Sequence, residues 1–183
     1  MDAISLLLER RSCAALDPPG PSGEALDIIL RAAMRVPDNM RLHPYEFILC
    51  EGEGLDRLGV VFERAAIAAR KPDDVIARAR RMPHRAPLVV VAVAKQRPSG
   101  HVTPFEQELT AGCSVMAMQM AAQALGYNGI WRSGWLMFDP WVASSLGVES
   151  PDRIVGFLYL GTPQSPLPPA PQPPERERFV RWL

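Results

Sequence analysis

One segment constrains the fold of this chain more than any other: a predicted helix that is apolar on nearly every side. Pro104 suits the first turn of a helix and Gly126 suits a C-terminal cap, which predicts a helix from Pro104 to about Leu125. Its own side chains are apolar on nearly every side of the helix: Val115, Met116, Met118, Met120, Ala121, Ala122, Ala124 and Leu125. A helix without a polar face is buried all round. A chain of 183 residues does not easily bury such a helix on all sides, so we expect the helix to lie in the core of a homodimer.

The remaining periodicity predicts a single domain that combines helices with four strands, without internal repeats. Leu88–Ala94 is a continuous, mostly β-branched run, typical of a central strand buried on both faces. The other predicted strands are Tyr45–Cys50, Gly129–Ser133 and Ile154–Leu160. Asp2 and Ser22 suit the N-caps of the first two helices. The predicted helices besides the long one cover residues 2–11, 24–35, 54–69, 73–82 and 140–146.

Residues 163–183 form a predicted C-terminal tail. The stretch 163–174 is rich in proline, which cannot donate to a sheet ladder, so we expect it to be extended. The chain then ends in the apolar sequence Phe179-Val180-Arg181-Trp182-Leu183. We expect this end to dock on the partner subunit.

Charge and cysteine content exclude several classes of protein. The 20 basic and 20 acidic residues cancel, so no broad basic field is available for nucleic acid or an anionic membrane surface. No run approaches the roughly 20 apolar residues of a membrane span, and the N-terminus lacks the pattern of a signal peptide. The odd number of widely spaced cysteines, at positions 13, 50 and 113, predicts buried free thiols in a reducing cytoplasm.

Several short motifs imitate catalytic or binding sites. Gly52-Glu53-Gly54 follows a predicted strand, but Arg57 stands where a dinucleotide fingerprint needs its third glycine, so we interpret the motif as a turn. The three histidines, at positions 43, 84 and 101, are scattered, and no serine stands in a GxSxG elbow. We therefore predict no metal site and no catalytic acid, base or nucleophile.

Arginines recur in three separate segments. Arg10-Arg11-Ser12 closes the first helix, where two guanidinium groups and a hydroxyl can hold a phosphate; equally, cations complement a helix C-terminus. A second segment, residues 35–45, follows the second helix and contains Arg35 and Arg41. The third, Trp131-Arg132-Ser133, lies in a predicted strand, where burying a guanidinium without an anionic partner is costly. Together the segments indicate an anionic ligand.

Taken in order, these segments resemble the nitroreductase family, in its compact bacterial subgroup. Arg10-Arg11-Ser12 resembles the family's flavin-phosphate motif, and residues 37–45 resemble its proline-to-tryptophan loop. Trp131-Arg132-Ser133 and the late strand 154–163 also match. The resemblance implies an α+β fold with an antiparallel-rich central sheet flanked by helices. It further implies an intertwined homodimer with FMN at the subunit interface.

The resemblance also implies the site residues and the reaction. FMN would be bound by Arg10, Arg11, Ser12, Arg35, Asn39, Trp131, Arg132 and Ser133, with Arg35 and Asn39 reaching it from the other subunit. NADH or NADPH would contact Ala121, Ala122, Gln123, Ala124, Leu125 and Gly126. The implied reaction passes hydride through the flavin to an electron-poor small molecule, such as a nitroaromatic or a quinone, with ping-pong kinetics. The flavin carries the chemistry, and Arg35 or Arg41 would stabilise its reduced form.

Four positions depart from the family pattern and leave the acceptor open. Arg41, His43 and Tyr45 stand where the family often has asparagine, glutamine and tryptophan, and Asn39 stands where the subgroup has histidine. Three other functions remain open. The chain could store flavin without NAD(P)H turnover, could be a helical dimerisation module without flavin, or could act on flavin itself or on halogenated aromatics.

Overall fold

Within residues 2–183, which the computed structural model describes, five strands form one sheet covered by helices on both faces. The strands are β1 (Leu16–Asp17), β2 (Tyr45–Glu51), β3 (Leu88–Ala94), β4 (Asn128–Arg132) and β5 (Arg153–Pro163). The helices are α1 (Ala3–Glu9), α2 (Gly23–Ala33), α3 (Glu53–Ala68), α4 (Asp73–Arg81), α5 (Pro104–Ala124), α6 (Trp135–Phe138) and α7 (Pro140–Ser145). Short 3₁₀ turns occupy Asn39–Arg41, Pro83–Arg85 and Arg176–Arg178.

The sheet is built around β5, which pairs with three other strands. β3 lies antiparallel to β5, with Leu88 opposite Leu160, and its other edge pairs antiparallel with β2, with Tyr45 opposite Ala94. β4 and β1 pair antiparallel with successive stretches of β5. The predicted antiparallel-rich sheet flanked by helices is therefore confirmed.

β3 separates two apolar cores, because its side chains alternate between the faces of the sheet. One core contains Phe62 of α3 and Phe157 of β5, together with Val89, Val91 and Val93. The other contains Ile29 of α2 and Met118 of α5, together with Leu88, Val90 and Ala92. Every residue of β3 is buried, which confirms the prediction of a central strand.

The helix ends agree with the predictions in part. Asp2 accepts hydrogen bonds from the backbone nitrogens of Ile4, at 3.0 Å, and of Ser5, at 3.1 Å, and Gly126 follows α5 at φ 90°. Ser22 occupies the N-cap position of α2 but makes no side-chain hydrogen bond there. Arg10 already has extended backbone angles, so α1 ends at Glu9, short of the predicted end of the helix at Arg11.

Two short elements lie outside the predicted set. β1 has two residues and exists because it pairs with the end of β5, which extends to Pro163 and thus beyond the predicted Leu160. α6 spans one turn between β4 and α7. Neither is long enough to show a periodic pattern in the sequence.

The long helix is not buried all round in the single chain, and its burial in a homodimer core stays a prediction. Only one side of α5 packs on the sheet, whereas Phe105, Leu109 and Met116 are 66%, 53% and 47% exposed. Cys113 lies on the same outward side, so it is exposed, contrary to the prediction that all three thiols are buried. The apolar face of α1, formed by Ile4, Leu7 and Leu8, is also exposed. Apolar surface on two neighbouring helices is therefore uncovered.

The C-terminal tail follows β5 along the surface of the chain. Leu167 packs against the first core, and its carbonyl oxygen accepts a hydrogen bond from Arg11 Nη2 at 3.2 Å. Phe179 and Trp182 at the end are exposed. Docking of this end on a partner stays a prediction. No helix among residues 2–183 is long and apolar enough to cross a bilayer.

Candidate functional site

A cleft of about 520 Å³ opens where the end of α1, the middle of α5 and the end of β4 meet. Its lining residues are Arg10, Ser12, Met116, Gln119, Trp131 and Ser133. Two of the three arginine-containing segments, more than a hundred residues apart in the chain, therefore converge on one cavity. Four of the eight residues predicted to bind FMN line it, and no lining residue is a carboxylate or a histidine.

The segment after α1 forms the first wall. The backbone nitrogen of buried Cys13 donates to the carbonyl oxygen of Gly129 at 2.9 Å, so residues 10–13 are tied to β4. Arg10 takes part in none of the ion pairs that residues 2–183 form. The cleft thus contains a guanidinium charge that no carboxylate of the described residues pairs with, beside the hydroxyl of Ser12. This arrangement suits an anionic ligand.

Trp131 forms the second wall, and three contacts fix its position. Its Nε1 donates to the carbonyl oxygen of Val155 at 3.2 Å. Gly112 of α5 lies against the ring, since a Cβ there would be 3.5 Å from Cη2. A Cβ at Gly156 would lie 2.0 Å from Nε1, so only glycine leaves room for the indole. The ring is still 40% exposed and can cover an aromatic ligand.

Gln119 forms the floor of the cleft and is a residue that the predictions missed. It is only 4% exposed, and its Nε2 lies 2.8 Å from the carbonyl oxygen of Gly129 and 3.5 Å from Ser12 Oγ. A polar side chain between two methionines of a mostly apolar helix is costly to bury without partners. That isolated polarity is the signal by which Gln119 could have been found. Met116 was missed as a lining residue because its apolar side chain suggested packing alone.

The side chain of Arg132 does not join the cleft. Strand alternation puts it on the opposite face of β4 from Trp131, in a cavity of about 90 Å³ beside Phe62 and Trp135. Its Cζ lies 5.8 Å from the ring centre of Tyr159, and its buried Nε has no partner within residues 2–183. Burial raises the pKa of Tyr159 to about 12, and the charge of Arg132 opposes that rise.

Arg11 also turns away from the cleft. Its Nη1 donates to the carbonyl oxygen of Glu9, and its Nη2 donates to that of Leu167, each at 3.2 Å. Its buried Nε has no partner within the described part of the chain. In the single chain, Arg11 therefore holds the start of the C-terminal tail.

Arg35 and Asn39 lie outside this cleft. Arg35 borders a separate open hollow with Ile28 and Met34 at the end of α2. Asn39 is exposed in the following loop, where Asp38 accepts from the backbone nitrogens of Leu42 and His43 at 3.1 and 2.9 Å. That pair of bonds stabilises a loop with three left-handed residues, Met40, Arg41 and His43. Delivery of Arg35 and Asn39 to a flavin by a second subunit stays a prediction.

The stretch predicted to contact NAD(P)H is the last turn of α5 and its cap. Ala122 is buried in the second core, and Ala121 packs against it. Gln123 Oε1 is buried without a partner in residues 2–183. Ala124, Leu125 and Gly126 are exposed and offer mainly backbone groups. Across residues 2–183, no three His, Cys, Asp or Glu side chains lie close enough together to hold a metal ion.

Comparison with known proteins identifies the class to which this fold and cleft belong. The nitroreductase family model matches residues 7–162, and the chain belongs to that family. A relative named "Putative NAD(P)H nitroreductase YdjA", from Escherichia coli strain K12, is 49% identical over 183 residues, which cover 100% of both chains. The predicted family is thus confirmed.

Solved structures confirm the predicted fold. The nitroreductase-like family protein from Bacillus cereus superposes with a TM-score of 0.82 at 20% identity, covering 100% of this chain and 96% of the other. A point mutant of the FMN and NADPH-dependent nitroreductase NfnB from sphigopyxis sp. strain HMH gives 0.78 at 16% identity, covering 100% and 99%. At these identities the likeness concerns the fold.

Proposed function

We propose that this protein is an FMN-dependent oxidoreductase that transfers hydride from NADH or NADPH to an electron-poor small molecule, such as a nitroaromatic or a quinone. The observation that carries the proposal is the Arg10 guanidinium, which forms no ion pair within residues 2–183, beside Ser12 and Trp131 in one cleft. The name of a sequence relative, "Putative NAD(P)H nitroreductase YdjA", and that of a fold neighbour, an FMN and NADPH-dependent nitroreductase, support the choice of cofactor and donor.

The residues of the cleft fit the chemistry of FMN. The ligand carries a phosphate dianion, which suits the guanidinium of Arg10 and the hydroxyl of Ser12. It also carries a flat aromatic system, which suits Trp131 and Met116. The cavity of about 520 Å³ has the size of a small-molecule site.

In the proposed mechanism, the protein binds and orients while the bound flavin supplies the hydride chemistry. Arg10 and Ser12 hold the phosphate, and Trp131 is kept in place by its bond to Val155. Arg35 or Arg41 of a second subunit would place positive charge beside the reduced ring and favour its anionic form. The turn Ala121–Gly126 would offer backbone groups to the nicotinamide nucleotide. One cleft then serves donor and acceptor in turn, which predicts ping-pong kinetics with parallel double-reciprocal lines.

A homodimer is part of the proposal. The exposed stripe of α5, which includes Phe105 and Leu109, continues to Met116, and Met116 also lines the cleft. A second copy that covers this stripe would therefore close the cleft from one side. The three free cysteines support a reducing, cytoplasmic location.

The visible spectrum of the purified protein tests the proposal. We expect a yellow protein whose flavin bleaches when NADH or NADPH is added without oxygen, and whose colour returns when a nitroaromatic or a quinone is added. Flavin that binds but does not bleach would instead indicate a storage protein. A protein that stays colourless in excess FMN would contradict flavin binding altogether and favour a dimerisation module.

A further inference from the structure

We propose that Gln119 is a positioning residue that makes the cleft selective for a phosphorylated flavin, an inference that rests on the proposed function. Gln119 lies on α5, between the wall that contains Ser12 and the wall formed by β4. Its side chain is the point at which both walls meet inside the cleft, because its Nε2 approaches Gly129 and Ser12 together.

The first part of the argument concerns the link between the walls. The shorter contact of Nε2, 2.8 Å to the carbonyl oxygen of Gly129, fixes the amide against the start of β4. The same oxygen accepts from the backbone nitrogen of Cys13 at 2.9 Å. Residues 12 and 13 and residue 129 are therefore held to one another through a single carbonyl, and the Gln119 amide is anchored on that same carbonyl.

The second part concerns the direction of the Ser12 hydroxyl. The second N–H of the amide is directed to Ser12 Oγ, 3.5 Å away, and an amide nitrogen can only donate. Ser12 Oγ is thus the acceptor in this contact, which leaves its own O–H free to donate elsewhere. Arg10 borders the same cleft, so an anion there would receive both the guanidinium and the hydroxyl. A neutral ligand end would gain little from either group.

Two variants of Gln119 test this role by their affinities for FMN and for riboflavin, which lacks the phosphate. Gln119→Met removes the amide donor that orients the Ser12 hydroxyl, so this variant should weaken FMN binding by about threefold to tenfold, and riboflavin binding by less than about twofold. Gln119→Glu keeps the shape but adds negative charge, and should reduce the preference for FMN further. Gln119→Met also removes the acceptor Oε1, but this loss affects FMN and riboflavin alike. The ratio of the dissociation constants of FMN and riboflavin therefore reports on the phosphate.

Gln107→Met is the matched control. Gln107 is a second buried glutamine of α5, 2% exposed, but it bonds the backbone of Arg97 and lies outside the cleft. This variant should lose stability and keep the wild-type ratio of FMN to riboflavin affinity, measured by quenching of flavin fluorescence. Unfolding curves show whether each variant is folded.

The outcomes separate this inference from the proposed function. Equal weakening of FMN and riboflavin in folded Gln119→Met would overturn the phosphate-directed role and leave Gln119 as a packing residue. Unchanged affinity for both would overturn any role. A double-mutant cycle adds an independent check, because Gln119→Met should have little further effect on FMN affinity in the Ser12→Ala background. If the wild-type protein binds neither flavin, the proposed function itself fails.

Discussion

Replacing Gly156 with alanine should displace Trp131 from the cleft wall and reduce both stability and flavin affinity. The new Cβ would lie 2.0 Å from Nε1 and 2.6 Å from Cδ1 of the indole, whereas non-bonded atoms settle at about 3.5 Å. The ring must therefore move by about 1.5 Å, and its hydrogen bond to Val155 is lost. Gly156 also has φ of 150°, a conformation that costs other residues about 1–3 kcal/mol.

These contributions set the size of the expected effect. A lost hydrogen bond adds about 0.5–1.5 kcal/mol to the backbone cost, so the free energy of unfolding should fall by about 2–4 kcal/mol. Aromatic stacking contributes about 0.5–1.5 kcal/mol beyond area burial, so FMN affinity should fall about threefold to tenfold. Urea unfolding of the flavin-free protein and fluorescence titration with FMN measure the two effects separately.

Two other glycines provide matched controls. A Cβ at Gly59 would lie 2.5 Å from the carbonyl oxygen of Arg80, where α3 packs on α4 and away from the cleft. Gly59→Ala should therefore lose stability and keep its FMN affinity. Gly100→Ala, with nothing within 4 Å of the new Cβ, should change neither. Wild-type FMN affinity in folded Gly156→Ala would refute the assignment of Trp131 to the flavin site.

Three further predictions follow from charge, exposure and burial. Arg10→Ala should weaken FMN binding about tenfold or more and leave riboflavin binding nearly unchanged, whereas Arg64→Ala, an exposed arginine of α3, should leave both unchanged in the same titration. Leu109→Glu should convert a dimer to a monomer in sedimentation and release flavin. Ile67→Glu, at a site of similar exposure, should do neither. A dimer that survives Leu109→Glu would exclude the exposed stripe of α5 as the dimer interface. Because burial raises the pKa of Tyr159 from 10.0 to about 12, its neutral form stabilises the fold fully below pH 10, and this contribution is lost as pH rises from 10 to 12. Chemical unfolding should thus show the wild type losing about 2–3 kcal/mol relative to Tyr159→Phe across that window, and a constant difference would contradict the burial argument.

The main elements of the fold were predictable because they are long enough to show a period. Leu88–Ala94 is apolar at every position, and the structure buries it on both faces of the sheet. β1 was not predictable, since two residues carry no period and the strand forms only through its pairing with β5. The end of α1 was placed too late because Arg10 fits a helix by composition, although its backbone is extended in the structure.

The cleft was predictable as chemistry but not as geometry. The arginine-containing segments indicated an anionic ligand and the family resemblance implied a flavin, and Arg10, Ser12 and Trp131 do line one cavity. The direction of each side chain required the backbone. Alternation along β4 directs Arg132 away from Trp131, and Arg11 is occupied by the carbonyl oxygen of Leu167. Residues that are adjacent in a sequence motif therefore need not direct their side chains into the same binding site.

The exposed stripe of α5 explains why the sequence predicts more burial of this helix than a single chain provides. Full burial of a large apolar side chain contributes about 1.5–3 kcal/mol, and Phe105, Leu109 and Met116 each retain roughly half or more of their exposure. A helix that is apolar on its outward side gains nothing from that composition as a monomer, and it would promote aggregation. Since Met116 belongs to both the stripe and the cleft, whatever covers the stripe also borders the ligand. Association and ligand binding should therefore be coupled, so that FMN tightens the dimer and dilution of the protein releases FMN.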